Sequence, residues 1–452
     1  MPGHKRNKEF IPDDLLELDM TEVNNLDNLH NPTGVIKNAQ AKCAKIFGCE
    51  HSFIMTNGAS AAVMAAVLAV CYEDDKIIAM RNSHISFYNA LELSGAFPVY
   101  YYSPNILGIN FGVNYVRFEN LLMSNPEAKV VFVTNPNYEG LCLDIERLAV
   151  ITHRHEKILI VDESHGSHFI FSSKFPKTAM QCGADIVINS LHKTLPCLTQ
   201  SAVLHVNSDL VDIDRVKRYV SMFQTTSPSY ILMSTIEKTL DKLSKPNFYR
   251  DYTKKLMALR EKLSKFKTLR LLTKKALSET KIFDGLCDID VSKLTFFVNS
   301  LTAPEKIEKI LRERFKIQIE MYGKHHLIAL SSIADTDNGF KKLYDAVEIL
   351  DKELKYVELE LKCEKIDEPK IACTPKTASQ LKCEYLSIES SVGRVSGNYV
   401  IKYPPGVPLL IPSEVITKNL VEYLKNINSE DTSVIGLKYV SEKRSIRVLM
   451  GT

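Results

Sequence analysis

The sequence predicts an α/β protein in which a mainly parallel sheet forms a large domain and a smaller α+β region follows it. Between residues 52 and 204, short apolar runs alternate with helical patterns. Such runs are typical of strands buried on both faces, and the helices between them connect neighbouring strands in parallel. From about residue 288 onward, short strands stand among charged helices instead.

Each predicted element has its own signal in the chain. The apolar runs that predict strands of the large domain are SFIM (52–55), KIIAM (76–80), KVVFVT (129–134), KILIVDE (157–163), ADIVINS (184–190) and SAVLHV (201–206). Helical patterns follow Gly58 and cover FYNALELSG (87–95) and IERLAVITHRH (145–155), and a lysine-rich helical stretch interrupted at Pro246 continues to about residue 276. The C-terminal region offers the strands LTFFVNS (294–300), HLIALSS (326–332) and YVIKYP (399–404), and the helix PEKIEKILRERF (304–315).

These elements predict three parts of the chain. Residues 1–45 contain several prolines and glycines and little periodicity, so we expect an N-terminal arm. The large domain is expected over residues 46–285 and the C-terminal α+β region over residues 286–452, of which 370–452 could be a separate subdomain.

Composition excludes several classes of protein. The 452 residues include 57 basic and 54 acidic ones, and this balance with dispersed lysines does not indicate nucleic-acid binding. The longest nearly apolar run, Ala59 to Tyr72, is shorter than the ~20 residues that cross a bilayer, and the N-terminus lacks a signal-peptide pattern. Ten cysteines without a CxxC pair indicate reduced thiols. We expect a cytoplasmic protein.

One lysine lies at a position where catalytic residues are common in folds with a parallel sheet. Lys193, in NSLHKTLP (189–196), lies just after the predicted strand ADIVINS, with Ser190 and His192 beside it. A lysine in a loop is usually solvated, so a catalytic interpretation needs support from other segments.

Asp162 supplies part of that support, because it ends the predicted strand KILIVDE and ligands gather at the carboxyl ends of parallel strands. A helicase-type DExH motif is not supported, since the chain has no GxxxxGK[ST] phosphate loop. A metal site built from His165 and His168, with His153 and His155, has no ligand of recognisable spacing, so no metal is predicted.

Two further segments complete a set of groups that one cofactor uses. TNGAS (56–60) leads from a strand through Gly58 into a helix, whose first N–H groups can bind phosphate. His84 precedes another helical pattern. Pyridoxal phosphate needs a lysine, an acid for its ring nitrogen, phosphate donors and a flat group against its ring. The sequence therefore predicts a pyridoxal phosphate site.

A series of short segments resembles the Orn/Lys/Arg decarboxylases in their short form, a family of pyridoxal phosphate enzymes with the fold of aspartate aminotransferase (fold type I). In chain order these segments are PGHK (2–5), TE (21–22), LHNPTG (29–34), TNG (56–58), RNSH (81–84), NALELSGAFPVY (89–100), TNPNYEG (134–140), VDESHGSHF (161–169), SLHKTLPCLTQSA (190–202), QTTSPSY (224–230) and YPPGVPLLIPSE (403–414). The resemblance covers almost the whole chain.

The resemblance implies a role for each of these residues. Lys193 would hold the cofactor covalently, Asp162 would pair with its ring nitrogen, and His84 would stack on the ring. The phosphate would be bound by Ser190 and His192 beside the helix start at Gly58, Ala59 and Ser60, and His165 would lie close to the cofactor. Thr225 and Ser227 would contribute from a neighbouring subunit, and Glu414 would hold the distal cationic group of the substrate.

The resemblance also implies the activity, which is decarboxylation of lysine, arginine or ornithine to an amine and carbon dioxide in polyamine metabolism. Family active sites form between subunits, so a homodimer or larger homo-oligomer is expected. An aminotransferase of the same fold and a catalytically silent regulatory relative remain alternatives. The chain departs from the common family pattern at Ile85, Glu139, Ser164, Ser167 and Ser413, and of these departures Glu139 and Ser413 leave the choice of substrate open.

Overall fold

The structure is a computed structural model that describes residues 5, 15, 17–23, 25–278, 286–360, 363–364, 367–427, 433–440 and 443–451. Strands of the first part are β1 (His51–Met55), β2 (Lys76–Met80), β3 (Phe97–Tyr101), β4 (Asn105–Ile106), β5 (Ile109–Asn110), β6 (Ala128–Thr134), β7 (Leu141–Leu143), β8 (Ile158–Asp162), β9 (Ile186–Asn189) and β10 (Ala202–Val206). Helices of the same part are α1 (Val35–Phe47), α2 (Gly58–Val70), α3 (Ile85–Ser94), α4 (Tyr115–Met123), α5 (Ile145–Arg154), α6 (Leu191–Thr194), α7 (Ile213–Met222), α8 (Tyr230–Leu243) and α9 (Arg250–Leu263).

Seven of these strands form one sheet in the order β1-β10-β9-β8-β6-β2-β3. Strands β3, β2, β6, β8 and β9 run parallel, β10 is antiparallel to β9, and β1 is antiparallel to β10. Strand β1 thus has the direction of the parallel group, and β10 alone in this sheet is reversed. The prediction of a mainly parallel sheet is confirmed, including all six predicted strands.

Both faces of the sheet are covered, as continuous apolar strands require. Along β6, Val130 and Phe132 belong to a core cluster shared with α2, α3 and α7, whereas Val131 and Val133 belong to a cluster shared with α4 and α5. Phe132 stacks on Phe87 of α3 with ring centroids 4.4 Å apart. Each fully buried side chain of this kind stabilises the fold by roughly 1.5–3 kcal/mol.

The segment predicted as an arm contains helix α1, so the predicted division at residue 45 falls inside a helix. Asp27 fixes the start of α1: its carboxylate accepts hydrogen bonds from the backbone N–H groups of Thr33 (2.8 Å), Gly34 (2.8 Å) and Ile36 (3.0 Å). Burial raises the pKa of Asp27, but these backbone hydrogen bonds outweigh it and lower the pKa overall. Such capping by an acid six to nine residues upstream has no simple sequence pattern.

The C-terminal region has the predicted α+β character. Its strands are β11 (Leu269–Leu271), β12 (Leu286–Ile289), β13 (Lys293–Val298), β14 (Met321–Tyr322), β15 (His326–Leu330), β16 (Cys363–Glu364), β17 (Cys383–Ser387), β18 (Val400–Lys402), β19 (Val407–Leu410), β20 (Val434–Ile435), β21 (Lys438–Val440) and β22 (Lys443–Leu449). Its helices are α10 (Lys274–Ser278), α11 (Pro304–Glu313), α12 (Asp337–Glu353), α13 (Pro375–Gln380) and α14 (Lys418–Asn426).

These strands form a four-stranded sheet, β11-β13-β15-β14, and two three-stranded sheets, β17-β22-β21 and β19-β18-β20. Strands β12 and β16 instead pair with β7 and β4 of the first part, which connects the two regions through backbone hydrogen bonds. Within the part of the chain that the structure describes, no helix is long and apolar enough to cross a membrane.

Ser413 lies in a strained backbone conformation. Its φ is +80°, in the left-handed region, and its buried hydroxyl oxygen has no hydrogen-bond partner among the described residues. An L-residue in this region costs about 1–2 kcal/mol, which glycine avoids. A glycine at this position would therefore fit the backbone better than serine.

We expect Ser413→Gly to raise the free energy of unfolding by about 1 kcal/mol, because relief of the strain exceeds the entropy that glycine adds to the unfolded chain. Urea unfolding followed by circular dichroism measures the change. Ser413→Ala is the matched control, since it removes the hydroxyl and keeps the strained Cβ. An equal gain in both variants would show that the hydroxyl, not the backbone, is the cause.

Candidate active site

A cavity of about 380 Å³ opens at the carboxyl edge of the large sheet, within the size range of small-molecule sites. The structure brings most of the predicted site residues together around it: Gly58, Ala59, Ser60, His84, Asp162, His165, Ser190, His192 and Lys193. The parallel strands explain this convergence, because their carboxyl ends share one edge. Thr225, Ser227 and Glu414 do not line the cavity.

Lys193 lies on the four-residue helix α6, four positions after β9 ends. Its Nζ is 3.2 Å from Nε2 of His165. Burial lowers the pKa of Lys193, against the opposing effect of the negative charges of Asp162 and Glu320. A larger fraction of this amine is therefore unprotonated at neutral pH than of an exposed lysine.

Asp162 is the last residue of β8 and is buried. Its Oδ1 accepts hydrogen bonds from the backbone N–H (3.1 Å) and the hydroxyl (2.5 Å) of Ser164. These two bonds hold the carboxylate in one orientation towards the cavity. Ser164, a departure from the usual family pattern, therefore supports Asp162 directly.

His165 stands between two lysines. Its Nε2 faces Lys193, and its Nδ1 is 3.0 Å from Nζ of Lys293, which begins β13. Burial lowers the pKa of His165 well below its usual value, and the charges of the two lysines lower it further. Burial also lowers the pKa of Lys293, to about 8, against the opposing charges of Asp290 and Glu320. The imidazole of His165 is thus neutral.

His84 caps the N-terminus of α3. Its Nδ1 accepts a hydrogen bond from the backbone N–H of Ser86 at 3.2 Å and lies 2.9 Å from the Ser86 hydroxyl. An acceptor at Nδ1 places the proton of the neutral ring on Nε2. Burial lowers the pKa of His84 to about 4, with a further lowering by Lys193 and an opposing effect of Asp162.

The start of helix α2 forms one wall of the cavity. Gly58 has a φ of +79°, which a glycine adopts without strain, and it begins a thirteen-residue helix whose first N–H groups lack partners within the helix. Ser190 and His192 stand beside it, with 3.4 Å between Ser190 Oγ and His192 Nδ1. This wall offers donors to an anion.

Thr225 and Ser227 lie outside the cavity on an exposed loop. The Ser227 hydroxyl donates to Oε1 of Glu22 at 2.9 Å, and the Ser227 backbone N–H donates to Oγ1 of Thr225 at 3.2 Å. Their predicted contribution to the site of a neighbouring subunit stays a prediction.

Glu414 is fully buried in an ion pair with Arg81 and not free to meet a substrate in this arrangement. Arg81 donates from Nε to Oε1 at 2.7 Å and from Nη2 to Oε2 at 2.9 Å, and the Ile411 N–H also donates to Oε2 at 3.1 Å. Burial lowers the pKa of Arg81, but the charge of Glu414 outweighs it and raises the pKa overall. The structure therefore does not bring this predicted substrate residue into the site.

The histidines of the metal hypothesis have other partners. His153 Nε2 is 2.9 Å from Asp185, His168 Nε2 is 3.1 Å from Asp290, and His165 contacts the two lysines. Among the residues that the structure describes, no three His, Cys, Asp or Glu side chains gather as a possible metal site.

Sequence reasoning did not assign several residues at the cavity to the site, four of which carry polar groups. Glu139, Asn82 and Thr134 line it, and Lys293 reaches it through His165. Asn82 and Thr134 follow or end strands of the parallel group, so the strand-end rule could have found them. Lys293 directly precedes the apolar run LTFFV. A lysine at the start of a buried strand indicates that its side chain has a buried partner.

An α/β fold with a buried lysine and a carboxylate on one cavity at the carboxyl edge of a mainly parallel sheet is typical of pyridoxal phosphate enzymes of fold type I. The family model of the Orn/Lys/Arg decarboxylase major domain matches residues 1–337, and that of the Orn/Lys/Arg decarboxylase C-terminal domain matches residues 359–439. The chain belongs to the Orn/Lys/Arg decarboxylase family, and the family implies dependence on pyridoxal phosphate.

Known decarboxylases match this chain over 99% of its length. The chain is 31% identical to an arginine decarboxylase of Bacillus subtilis and 33% identical to one of Halalkalibacterium halodurans, in each case over 99% of this chain and 95% of the relative. The Escherichia coli constitutive lysine decarboxylase has the same fold, with a TM-score of 0.82 at 20% identity over 99% of this chain and 79% of that one. An alanine–glyoxylate aminotransferase of Nostoc sp. matches 70% of this chain and 86% of that one, with a TM-score of 0.56 at 13% identity.

We expect Arg81→Met to lower the free energy of unfolding by about 3–5 kcal/mol, because it leaves the Glu414 carboxylate buried without its cation. Urea unfolding measures this loss. The double variant Arg81→Met/Glu414→Met is expected to lose less than the sum of the two single variants, since it removes the unpaired charge. Strict additivity of the single losses would contradict the coupling of these two groups.

Proposed function

We propose that the protein converts lysine, arginine or ornithine to the corresponding amine and carbon dioxide, with pyridoxal phosphate as its cofactor. The observation that carries the proposal is the meeting of Lys193, Asp162 and His84 in one cavity beside the start of α2. The relatives above 30% identity described here are arginine decarboxylases, so arginine is the first substrate to offer.

The donor set of the cavity fits this cofactor. Pyridoxal phosphate presents an aldehyde, a ring nitrogen and a phosphate, for which the cavity offers a buried amine, a buried carboxylate and a helix start with Ser190 and His192. Two buried oxygens at the cavity, Asn82 Oδ1 and Thr134 Oγ1, have no hydrogen-bond partner among the described residues. Unpaired buried polar atoms on a cavity wall are expected where a polar ligand binds.

Lys193 would hold the cofactor, and its lowered pKa favours the unprotonated amine that this bond requires. Asp162 would keep a proton on the ring nitrogen, held in place by the two hydrogen bonds from Ser164. When bound, the cofactor supplies an electron sink for the negative charge that departing carbon dioxide leaves on the Cα of the substrate.

The proton that replaces carbon dioxide at Cα would come from Lys193 or His84. Burial lowers the pKa of His84 to about 4, which favours its neutral ring at pH 7. Neutral His84 suits a flat contact with the cofactor ring, and its N-cap hydrogen bonds with Ser86 hold the ring in place.

Three further expectations belong to the same proposal. The enzyme would be a homodimer or larger homo-oligomer in which Thr225 and Ser227 complete the site of a neighbouring subunit. It would act in the cytoplasm, in polyamine metabolism. The chain would divide into an arm, a cofactor-binding domain ending near residue 285, and the C-terminal α+β region.

The alternatives have less support. Aminotransferases share the fold over 70% of this chain, whereas the lysine decarboxylase match extends over 99% of it. A catalytically silent relative would not need a buried lysine of lowered pKa beside a carboxylate.

We expect the cofactor-loaded protein to release carbon dioxide and an equal amount of amine from one of arginine, lysine and ornithine, offered separately. Chromatography of the amines and trapping of the carbon dioxide measure both products. Lys193→Met is the control and should neither react nor show the visible absorbance of lysine-bound cofactor. Amino-group transfer to a 2-oxo acid without release of carbon dioxide would favour the aminotransferase instead.

We expect Asp162→Asn to lower kcat by at least about 100-fold, because the ring nitrogen loses the charge that holds its proton. Ser190→Ala should mainly weaken binding of the cofactor, by about 10-fold, since it removes one hydrogen bond to a charged group. Steady-state kinetics at saturating cofactor and equilibrium cofactor titration separate the two effects. Full turnover of Asp162→Asn would refute the role of Asp162.

A further inference from the structure

A basic substrate carries a distal ammonium or guanidinium group that needs an acidic partner. Glu414, the acid that the family pattern suggests, has both carboxylate oxygens bonded to Arg81. A second cation could meet it only if this buried pair broke, at a cost of several kcal/mol. The partner of the distal group must therefore be sought elsewhere.

Two acids line the cavity among the residues that the structure describes, Asp162 and Glu139. Asp162 is bonded to Ser164 and, in the proposed function, serves the cofactor. Glu320 lies nearby, but its side chain is exposed outside the cavity and accepts a hydrogen bond from the Tyr138 hydroxyl. Glu139 is the remaining acid that faces the space in which a substrate would lie.

Glu139 has no lysine or arginine in direct contact among the described residues. Within the described chain, no lysine or arginine nitrogen lies within 4.0 Å of its carboxylate, and the nearest basic group is His326 Nε2 at 3.8 Å. Burial lowers the pKa of His326 to about 4, so this ring is neutral. Lys293 is close enough to act on Glu139 electrostatically, but its Nζ is bonded to His165.

The turn that carries Glu139 is held rigidly. The Glu139 carbonyl accepts a hydrogen bond from Thr295 Oγ1 at 2.8 Å, and Asn137 Oδ1 accepts one from the Leu141 N–H at 2.7 Å. Gly140 has a φ of +89°, and a Cβ there would lie 2.7 Å from Cβ of Lys293. A fixed backbone positions a side chain for recognition at a lower entropic cost than a mobile loop.

We propose that Glu139 binds the distal cationic group of the substrate and thereby selects basic amino acids, an inference that rests on the proposed decarboxylase function. The Glu139 side chain is 13% exposed, enough to reach a ligand in the cavity while it is largely shielded from water. Burial raises the pKa of Glu139 to about 7, against the opposing effects of its own backbone N–H and of Lys293. A substrate cation would supply a charge partner in direct contact with this carboxyl.

The test compares Glu139→Gln with the parent enzyme, both loaded with cofactor. Binding of arginine and lysine is measured by the initial absorbance change of the bound cofactor, recorded before turnover, beside that of their neutral analogues citrulline and norleucine. Carbon dioxide release is followed in the same samples. We expect Glu139→Gln to bind the basic amino acids about 10- to 100-fold more weakly and the neutral ones almost unchanged, because only the charge-assisted bond is lost.

Two variants guard against a merely structural effect. Glu139→Asp keeps the charge and should keep a preference for basic over neutral substrates, even if binding weakens. Glu127→Gln, on the surface beside Lys76, should behave as the parent enzyme. An unchanged thermal unfolding midpoint and cofactor spectrum of Glu139→Gln would show that the site remains folded.

The outcomes separate this inference from the proposed function. If the parent enzyme releases carbon dioxide and Glu139→Gln keeps the full preference for basic amino acids, the role of Glu139 is wrong and the decarboxylase stands. If the parent enzyme binds basic amino acids preferentially and Glu139→Gln does not, but no carbon dioxide appears, the reaction is wrong and Glu139 is the recognition residue. A parent enzyme without any preference for basic amino acids overturns the role of Glu139.

Discussion

The arrangement of this site depends on the burial of two lysines next to one histidine. Burial lowers the pKa values of His165, Lys193 and Lys293, and the charges of the two lysines lower that of His165 further, so His165 is neutral. Asp162 and Glu320 limit this lowering by opposing it. The protonation of Lys193 is therefore set by its burial and by the opposing charges of Asp162 and Glu320.

The large sheet and much of the site could be predicted because their signals are local. A strand buried on both faces is recognisable from its own apolar run, and the residue after such a strand lies at the carboxyl edge whatever the rest of the chain does. Lys193, Asp162 and Gly58 all follow this rule. That these three residues lie around one cavity could be predicted without knowledge of side-chain contacts.

The remaining part could not be predicted because it rests on contacts between residues far apart in the chain. His165 and Lys293 are 128 positions apart, and Arg81 and Glu414 are 333 positions apart. The family pattern offered Glu414 as a free acid, and no local feature of YPPGVPLLIPSE shows that Arg81 already neutralises it. Helix α1 was missed for a similar reason, since its capping acid Asp27 lies in a segment that reads as a loop.

The Arg81–Glu414 pair also explains why the C-terminal region is part of the site. Arg81 follows β2, three residues before His84, whereas Glu414 ends the segment that contains Pro405 and Val407, two residues of the cavity wall. The Gly406 carbonyl accepts a hydrogen bond from the Ile85 N–H at 3.0 Å, and a Cβ at Gly406 would lie 3.1 Å from the His84 ring. The buried pair thus holds this wall against His84. The ion pair therefore stabilises the shape of the cavity. For this reason a fully buried acid can lie beside the site without binding the substrate.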